Sequence, residues 1–145
     1  MALTQVLQKR ASLIAEGRKL NDEGRKPFNE GYKLIDEGRK LIYEGRKLID
    51  EGRKLIDEDY KLFNKGDKLC TKGHKLIYEG YKLIAEGRKL NDEGRKLYDE
   101  GHKLIDEGRK LLKAHLKNTK YELVNFGGFE ILLINGVGQY TGVEL

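Results

Sequence analysis

The side chains able to do chemistry are few and widely spaced. There are three histidines, His74, His102 and His115, and one cysteine, Cys70. No two histidines stand at the four-residue spacing that lets a helix hold a metal between two imidazoles. One cysteine allows no disulfide within a chain, no CxxC pair and no zinc-ligand spacing. Adjacent or near-adjacent carboxylates recur, as in Asp50-Glu51 and Asp57-Glu58. They stand on a solvated face, where nothing desolvates them or moves their pKa. The recurring Glu-Gly-Arg-Lys is not a phosphate loop, and no serine has the context of a nucleophile. These residues call for no cofactor and no metal, and they argue against an enzyme.

Each of these residues belongs to a repeat, and the repeat decides its place. From about Ile14 to Leu112 the chain repeats a seven-residue unit close to Glu-Gly-Arg-Lys-Leu-Ile-Asp, written cleanly at Glu44–Asp50. A sustained seven-residue period spans two helical turns and imposes a left-handed supercoil. On a helix the Gly place falls at the centre of an apolar stripe, with the Leu and Ile places roughly 50° to either side. His74 and His102 fall at the Arg place beside the stripe, shared by Tyr32, Tyr60 and Tyr81. His115 takes a Gly place where the repeat ends. Cys70 takes an Ile place, as a small apolar residue; between parallel chains in register it would lie near its copies. A solenoid with glycine at its turns is disfavoured, because Lys-Leu-Ile is too short for an ordinary strand.

Glycine holds the stripe centre at Gly17, Gly24, Gly31, Gly38, Gly45 and Gly52, then at Gly66, Gly73, Gly80, Gly87, Gly94, Gly101 and Gly108. Each costs a helix about 1 kcal/mol against alanine, on the order of 10 kcal/mol in all. A row of glycines between rows of large apolar side chains offsets that cost if a second backbone comes close. The alternative is that the glycines are relics of duplication. With Leu on one edge and Ile on the other, each helix meets two neighbours, which suggests three or more helices per bundle. The expected interface is Leu34, Ile35, Gly38, Leu41, Ile42, Gly45, Leu48 and Ile49, then Leu76, Ile77, Gly80, Leu83, Ile84, Leu104 and Ile105. Asn21 and Asn91 stand at Ile places and are expected to set register.

Of the 145 residues, 37% are charged and 38% hydrophobic. The net charge of +5 is misleading, because the consensus unit is neutral. Lys54 follows Glu51 by three residues and Asp50 by four, spacings that stabilise a helix by roughly 0.2–0.5 kcal/mol a pair. The charged face reads as salt-bridged and solvated, with no basic stripe for a nucleic acid. No apolar run approaches the ~18–20 residues of a membrane span. Met1–Ala15 lacks the apolar core of a signal peptide. Cytoplasmic synthesis without a signal peptide and a soluble product are expected.

Three regions follow. Residues 1–26 are a helical arm up to Pro27, which takes a Leu place and is expected to kink, break or start the main helix. Residues 27–117 are a heptad rod with no loop signal from Phe28 onward. Within it Asp59 replaces glycine, expecting partners such as Lys61 or Tyr60 from neighbouring chains. The stretch Glu58–Lys72 departs most from the consensus and is read as a solvated irregularity. Residues 118–145 change language. Gly127-Gly128 and Asn135-Gly136 are strong hairpin signals, which predict strands at about 121–126, 129–134 and 137–143. The middle strand is apolar on both faces, and so small a meander cannot cover both alone. Phe126, Phe129, Ile131, Leu133 and Ile134 are expected to associate with other chains.

The fold class expected is mainly α, a long parallel coiled coil of glycine-containing heptads with a small C-terminal β-meander. In architecture this resembles the fibre, whisker and needle proteins of bacteriophages, with a long coiled coil and a small β-rich end. That resemblance implies a virion component without activity of its own, a homotrimer docked at one end to a larger assembly. The leading expectation is a structural fibre or spacer. The alternatives are an amphipathic helix on a lipid surface and a scaffold joining two protein partners. Glycine at the stripe centre and a charge-balanced polar face both weigh against lipid.

Overall fold

The computed structural model describes residues 2–145. Helix α1 runs over Leu3–Glu58, a short 3₁₀ turn over Tyr60–Leu62 and helix α2 over Phe63–His115. Strands β1 (Glu122–Phe126), β2 (Phe129–Ile134) and β3 (Val137–Glu144) form one antiparallel sheet in the order β1-β2-β3. The protein is mainly α with a small C-terminal sheet, as the heptads and hairpin turns predict. Among the described residues no helix is long and apolar enough to cross a membrane.

The helix breaks elsewhere than expected. Of the kink, break or start expected at Pro27, the break and the start are not found, since Pro27 lies inside α1. The uninterrupted helix expected from Phe28 onward instead ends at Glu58. Asp59 is extended, at φ −151° and ψ 116°, and its carboxylate accepts a hydrogen bond from the Lys61 backbone N–H at 3.0 Å. The partner expected from a neighbouring chain is thus the next turn of the same chain. The chain divides into two compact units, Lys26–Gly94 and Met1–Arg25 with Arg95–Leu145.

In the first of these units, α1 and α2 pack antiparallel along their glycines. Gly31 faces Gly87, Gly38 faces Gly80, Gly45 faces Gly73 and Gly52 faces Gly66. Every pair is centred on Asp59, the one repeat that lacks the glycine. A glycine there would have no facing backbone to meet. A Cβ added at Gly80 would lie 2.5 Å from the Gly38 carbonyl oxygen and 2.7 Å from Ile42 Cγ1. The backbones are therefore too close for any side chain but hydrogen, and each glycine Cα–H is turned toward a facing carbonyl. The backbone that the glycines admit belongs to the same chain and runs antiparallel. The parallel neighbours expected from the repeat are not what this seam is built on.

The isoleucines cover the seam. Ile84 lies over Gly38, Ile77 over Gly45, Ile49 over Gly73 and Ile42 over Gly80. Ile35, Ile42 and Ile49 are buried, and Ile77 and Ile84 half-buried. Burying an isoleucine contributes about 1.5–3 kcal/mol, which exceeds the ~1 kcal/mol that its glycine costs. These contacts are reciprocal, so the pair has local two-fold symmetry about an axis across the helices. Both isoleucine rows then lie on one face of the pair and both leucine rows on the other. Leu34, Leu41, Leu48, Leu76 and Leu83 are all half-buried. Cys70 takes its Ile place over Gly52, and its thiol donates weakly to the Ile49 carbonyl at 3.6 Å.

The other unit has a glycine contact of the same kind between Gly17 and Gly101, with Ile105 over Gly17. Leu104 and Ile105 are half-buried. At Gly108 the added Cβ would meet nothing nearer than the Arg10 carbonyl at 3.1 Å. The helices part there, and side chains return to the Gly places as Leu3 and Arg10. The sheet uses the space. Leu7, Leu112, Leu116 and Leu132 form its buried core, with Leu3, Tyr121 and Ile134 packed around them.

Candidate interaction surface

Two turns set the sheet. Gly127 and Gly128 have φ +61° and +90°, and Asn135 and Gly136 have φ +52° and +77°. Positive φ at both central residues is the hairpin turn that matches strand twist. The resulting register pairs Phe126 with Phe129, Val124 with Ile131 and Glu122 with Leu133 across the first hairpin. Ile131 pairs with Tyr140 across the second. Successive residues point to opposite faces, so β2 sorts into two sets.

One set faces the helices: Glu130, Leu132 and Ile134, joined by Thr141 and Val143 of β3. Leu132 is 1% exposed and Thr141 2%. Glu130 is buried here by design of its partners. Arg10 Nη1 donates to Glu130 Oε1 at 2.6 Å and Nη2 to Oε2 at 3.2 Å. The Thr141 hydroxyl donates to Oε1 at 2.7 Å. Burial alone would push the Glu130 carboxyl up. The hydrogen bonds from Arg10 and Thr141, with the Arg10 charge, outweigh it and hold the group below its ordinary 4.5. Two further contacts seat the sheet. Arg18 Nη1 donates to the Glu144 carbonyl at 2.6 Å, and a Cβ added at Gly142 would lie 3.2 Å from Ala11 Cβ. A charge-assisted, bidentate pair in a buried site fixes orientation as well as holding the parts together.

The other set faces away from the helices: Phe129, Ile131 and Leu133, with Val124 and Phe126 of β1 and Tyr140 of β3. Phe126 is 76% exposed, and Phe129 and Tyr140 are near half exposed. The Phe129 and Tyr140 rings meet edge to face with centroids 5.5 Å apart. Phe126, Phe129, Ile131 and Tyr140 line an apolar hollow of about 310 Å³. Three aromatic rings and three aliphatic side chains are grouped there as one open apolar patch.

The residues expected to associate are therefore only partly brought together. Phe126, Phe129, Ile131 and Leu133 share the outer face. Ile134 does not; it packs inward on the leucine core, because neighbours on a strand cannot share a face. The expected need to cover both faces of β2 is met on one face by the chain's own helices. The interface residues expected along the heptads form the intrachain seam, with the leucines at its margin. Asn21 and Asn91 lie over Gly101 and Gly31, and each has a buried Oδ1 without a hydrogen-bond partner. The expected ladder of Lys–Asp and Lys–Glu pairs is not closed. Among the described residues the one ion pair within 4 Å is Arg10–Glu130. Exposed lysines lose little by staying hydrated and mobile. Lys47 and Lys82 instead reach over the rings of Tyr43 and Tyr78, at 5.0 and 4.9 Å.

Sequence reasoning missed Arg10, Glu130, Thr141 and Tyr140. A signal existed for the first two, since each is a charge at a place otherwise apolar. Among the described residues no three His, Cys, Asp or Glu side chains gather as a metal site. Compared with known proteins, the chain matches no family model, no curated protein and no solved structure.

Proposed function

We propose that this chain is a structural spacer whose C-terminal sheet is its docking module. The observation that carries this reading is the outer face of the sheet. Six apolar side chains are grouped there with none of the described residues laid over them, while the opposite face is held by a buried ion pair and a leucine core. A face that served only folding would be turned inward. The glycine seam supplies a stiff support, since its backbones are in contact and its offset is met within one chain.

Titration with anilinonaphthalene sulfonate, together with denaturant melts, tests this. Phe126→Asp is expected to lower dye binding and to leave stability within about 0.5 kcal/mol, as at an exposed site, while Tyr140→Ser should lower dye binding and cost about 1 kcal/mol through the lost ring contact with Phe129. If either variant unfolds the sheet, the face is structural and the reading falls. A homo-oligomeric fibre keeps a narrower footing. The half-buried leucine rows on one face of the helix pair support lateral association between copies.

A further inference from the structure

We propose that the outer face of the sheet docks on the same face of a second copy, each Phe126 entering the other's hollow. This rests on the reading of that face as a docking module and names its partner. The face carries both halves of a self-complementary contact. Phe126 is the most exposed apolar side chain on it, at 76%. Phe126 itself forms one wall of the apolar hollow of about 310 Å³, with Phe129, Ile131 and Tyr140 as the others. An apolar space of about 150 Å³ suffices for a benzene ring, so a phenyl group fits with room for the two faces to close.

A protruding ring and a receptive hollow on one surface suit a two-fold contact, in which the same patch serves both partners. The two sheets would pack face to face at about 10 Å, as in a sandwich. The contact closes on itself, so it makes dimers and does not grow. Area sets its strength. The exposed parts of the three rings come to about 100 Å² each on the scale of aromatic burial. Val124, Ile131 and Leu133 add about 50 Å² each on the area scale of aliphatic burial. Two copies would bury at most about 900 Å², short of the ~1,000 Å² that a stable specific interface clears, which makes the contact a weak, transient one. The dimer is therefore reversible and depends on concentration.

Sedimentation equilibrium of the full chain over a wide concentration range tests the pairing. The expected result is a mass that rises from one chain toward two, and returns to one chain for Phe126→Asp at every concentration. Ile131→Asp should do the same, and circular dichroism should confirm that both variants keep their fold. A dimer that persists in both variants overturns the proposal and places the contact elsewhere, with the leucine rows first in line. A chain that stays monomeric to millimolar concentration also overturns it. In that case dye binding that is lost in Phe126→Asp leaves the docking face standing for a different protein. Dye binding unchanged by the substitution removes that reading as well.

Discussion

At the residue scale the protein turns on places where one side chain is too many or one charge too few. At Gly45 an added Cβ would meet the Gly73 carbonyl and would lie 2.7 Å from Ile77 Cγ1. The first obstacle is backbone and cannot step aside. Gly45→Ala gains about 1 kcal/mol of helix propensity and incurs overpacking of typically 1–3 kcal/mol, so a net loss is expected. Gly108→Ala, whose nearest obstacle is the Arg10 carbonyl at 3.1 Å, should be tolerated better than Gly45→Ala. Denaturant melts of the two variants give the comparison; equal gains at both sites would mean that the glycines are relics. Glu130 is the charge that cannot be spared. Glu130→Gln leaves Arg10 buried without its counter-ion, and losing one partner of a buried pair costs about 3–5 kcal/mol. The pH dependence has a definite sign. The carboxyl is held below 4.5 in the folded state, so its contribution is present above the unfolded pKa and lost as pH falls through the folded one. The stability gap between wild type and Glu130→Gln should therefore be constant near neutrality and narrow only below about pH 4.5. A gap that narrows between pH 6 and 8 would show that another group is titrating.

At the element scale the decisive feature is the reversal at Asp59. Heptads alone do not say whether a glycine row meets its own chain or another. The break is made by a few residues: Asp59, extended and capping Lys61, and Tyr60, 83% exposed in the turn. Asp59→Gly with Tyr60→Arg restores the consensus over Glu58–Leu62 and removes the cap, a loss of only about a few tenths of a kcal/mol when glycine takes the place. The glycine seam would then be available between two chains whose helices run on past position 59. A swapped dimer is expected, with a doubled mass that persists on dilution and in the Phe126→Asp background. Were the double variant still monomeric in that background, the turn would be set by the seam and not by these residues. Pro27 gives the complementary test. It lies within α1 at a Leu place, where proline costs a helix about 3 kcal/mol. Pro27→Leu should stabilise the protein by about 2–3 kcal/mol, read as a higher denaturation midpoint.

At the scale of the whole molecule, the sequence made some features plain and left others ambiguous for one reason. The helices and all three strands were legible, because the seven-residue period and the Gly-Gly and Asn-Gly turns are local signals. The outer face was legible in Phe126, Phe129, Ile131 and Leu133, and misread at Ile134 where strand alternation was not applied. The fold-back was not legible, because identical heptads bury the same stripe against a parallel copy or an antiparallel stretch of the same chain. Only departures from the repeat break that tie: Asp59 at the centre of every glycine pair, and Arg10 with Glu130 where the helices part. This reasoning makes a prediction about paired length. Deleting residues 38–44 from α1 alone leaves glycines facing glycines, since the repeat is degenerate. It also moves Arg10 one heptad out of step with Gly108, away from Glu130. The expected loss is that of a buried charge left unpaired, about 3–5 kcal/mol, with faster hydrogen exchange at Leu132 and Thr141. Deleting 74–80 as well removes the facing heptad and puts Arg10 back opposite Gly108. The double deletion should regain slow exchange in the sheet although it is the shorter chain. If the single deletion keeps the sheet as protected as the double one does, the sheet is not registered by the Arg10–Glu130 pair, and the leucine core around Leu112 alone must hold it.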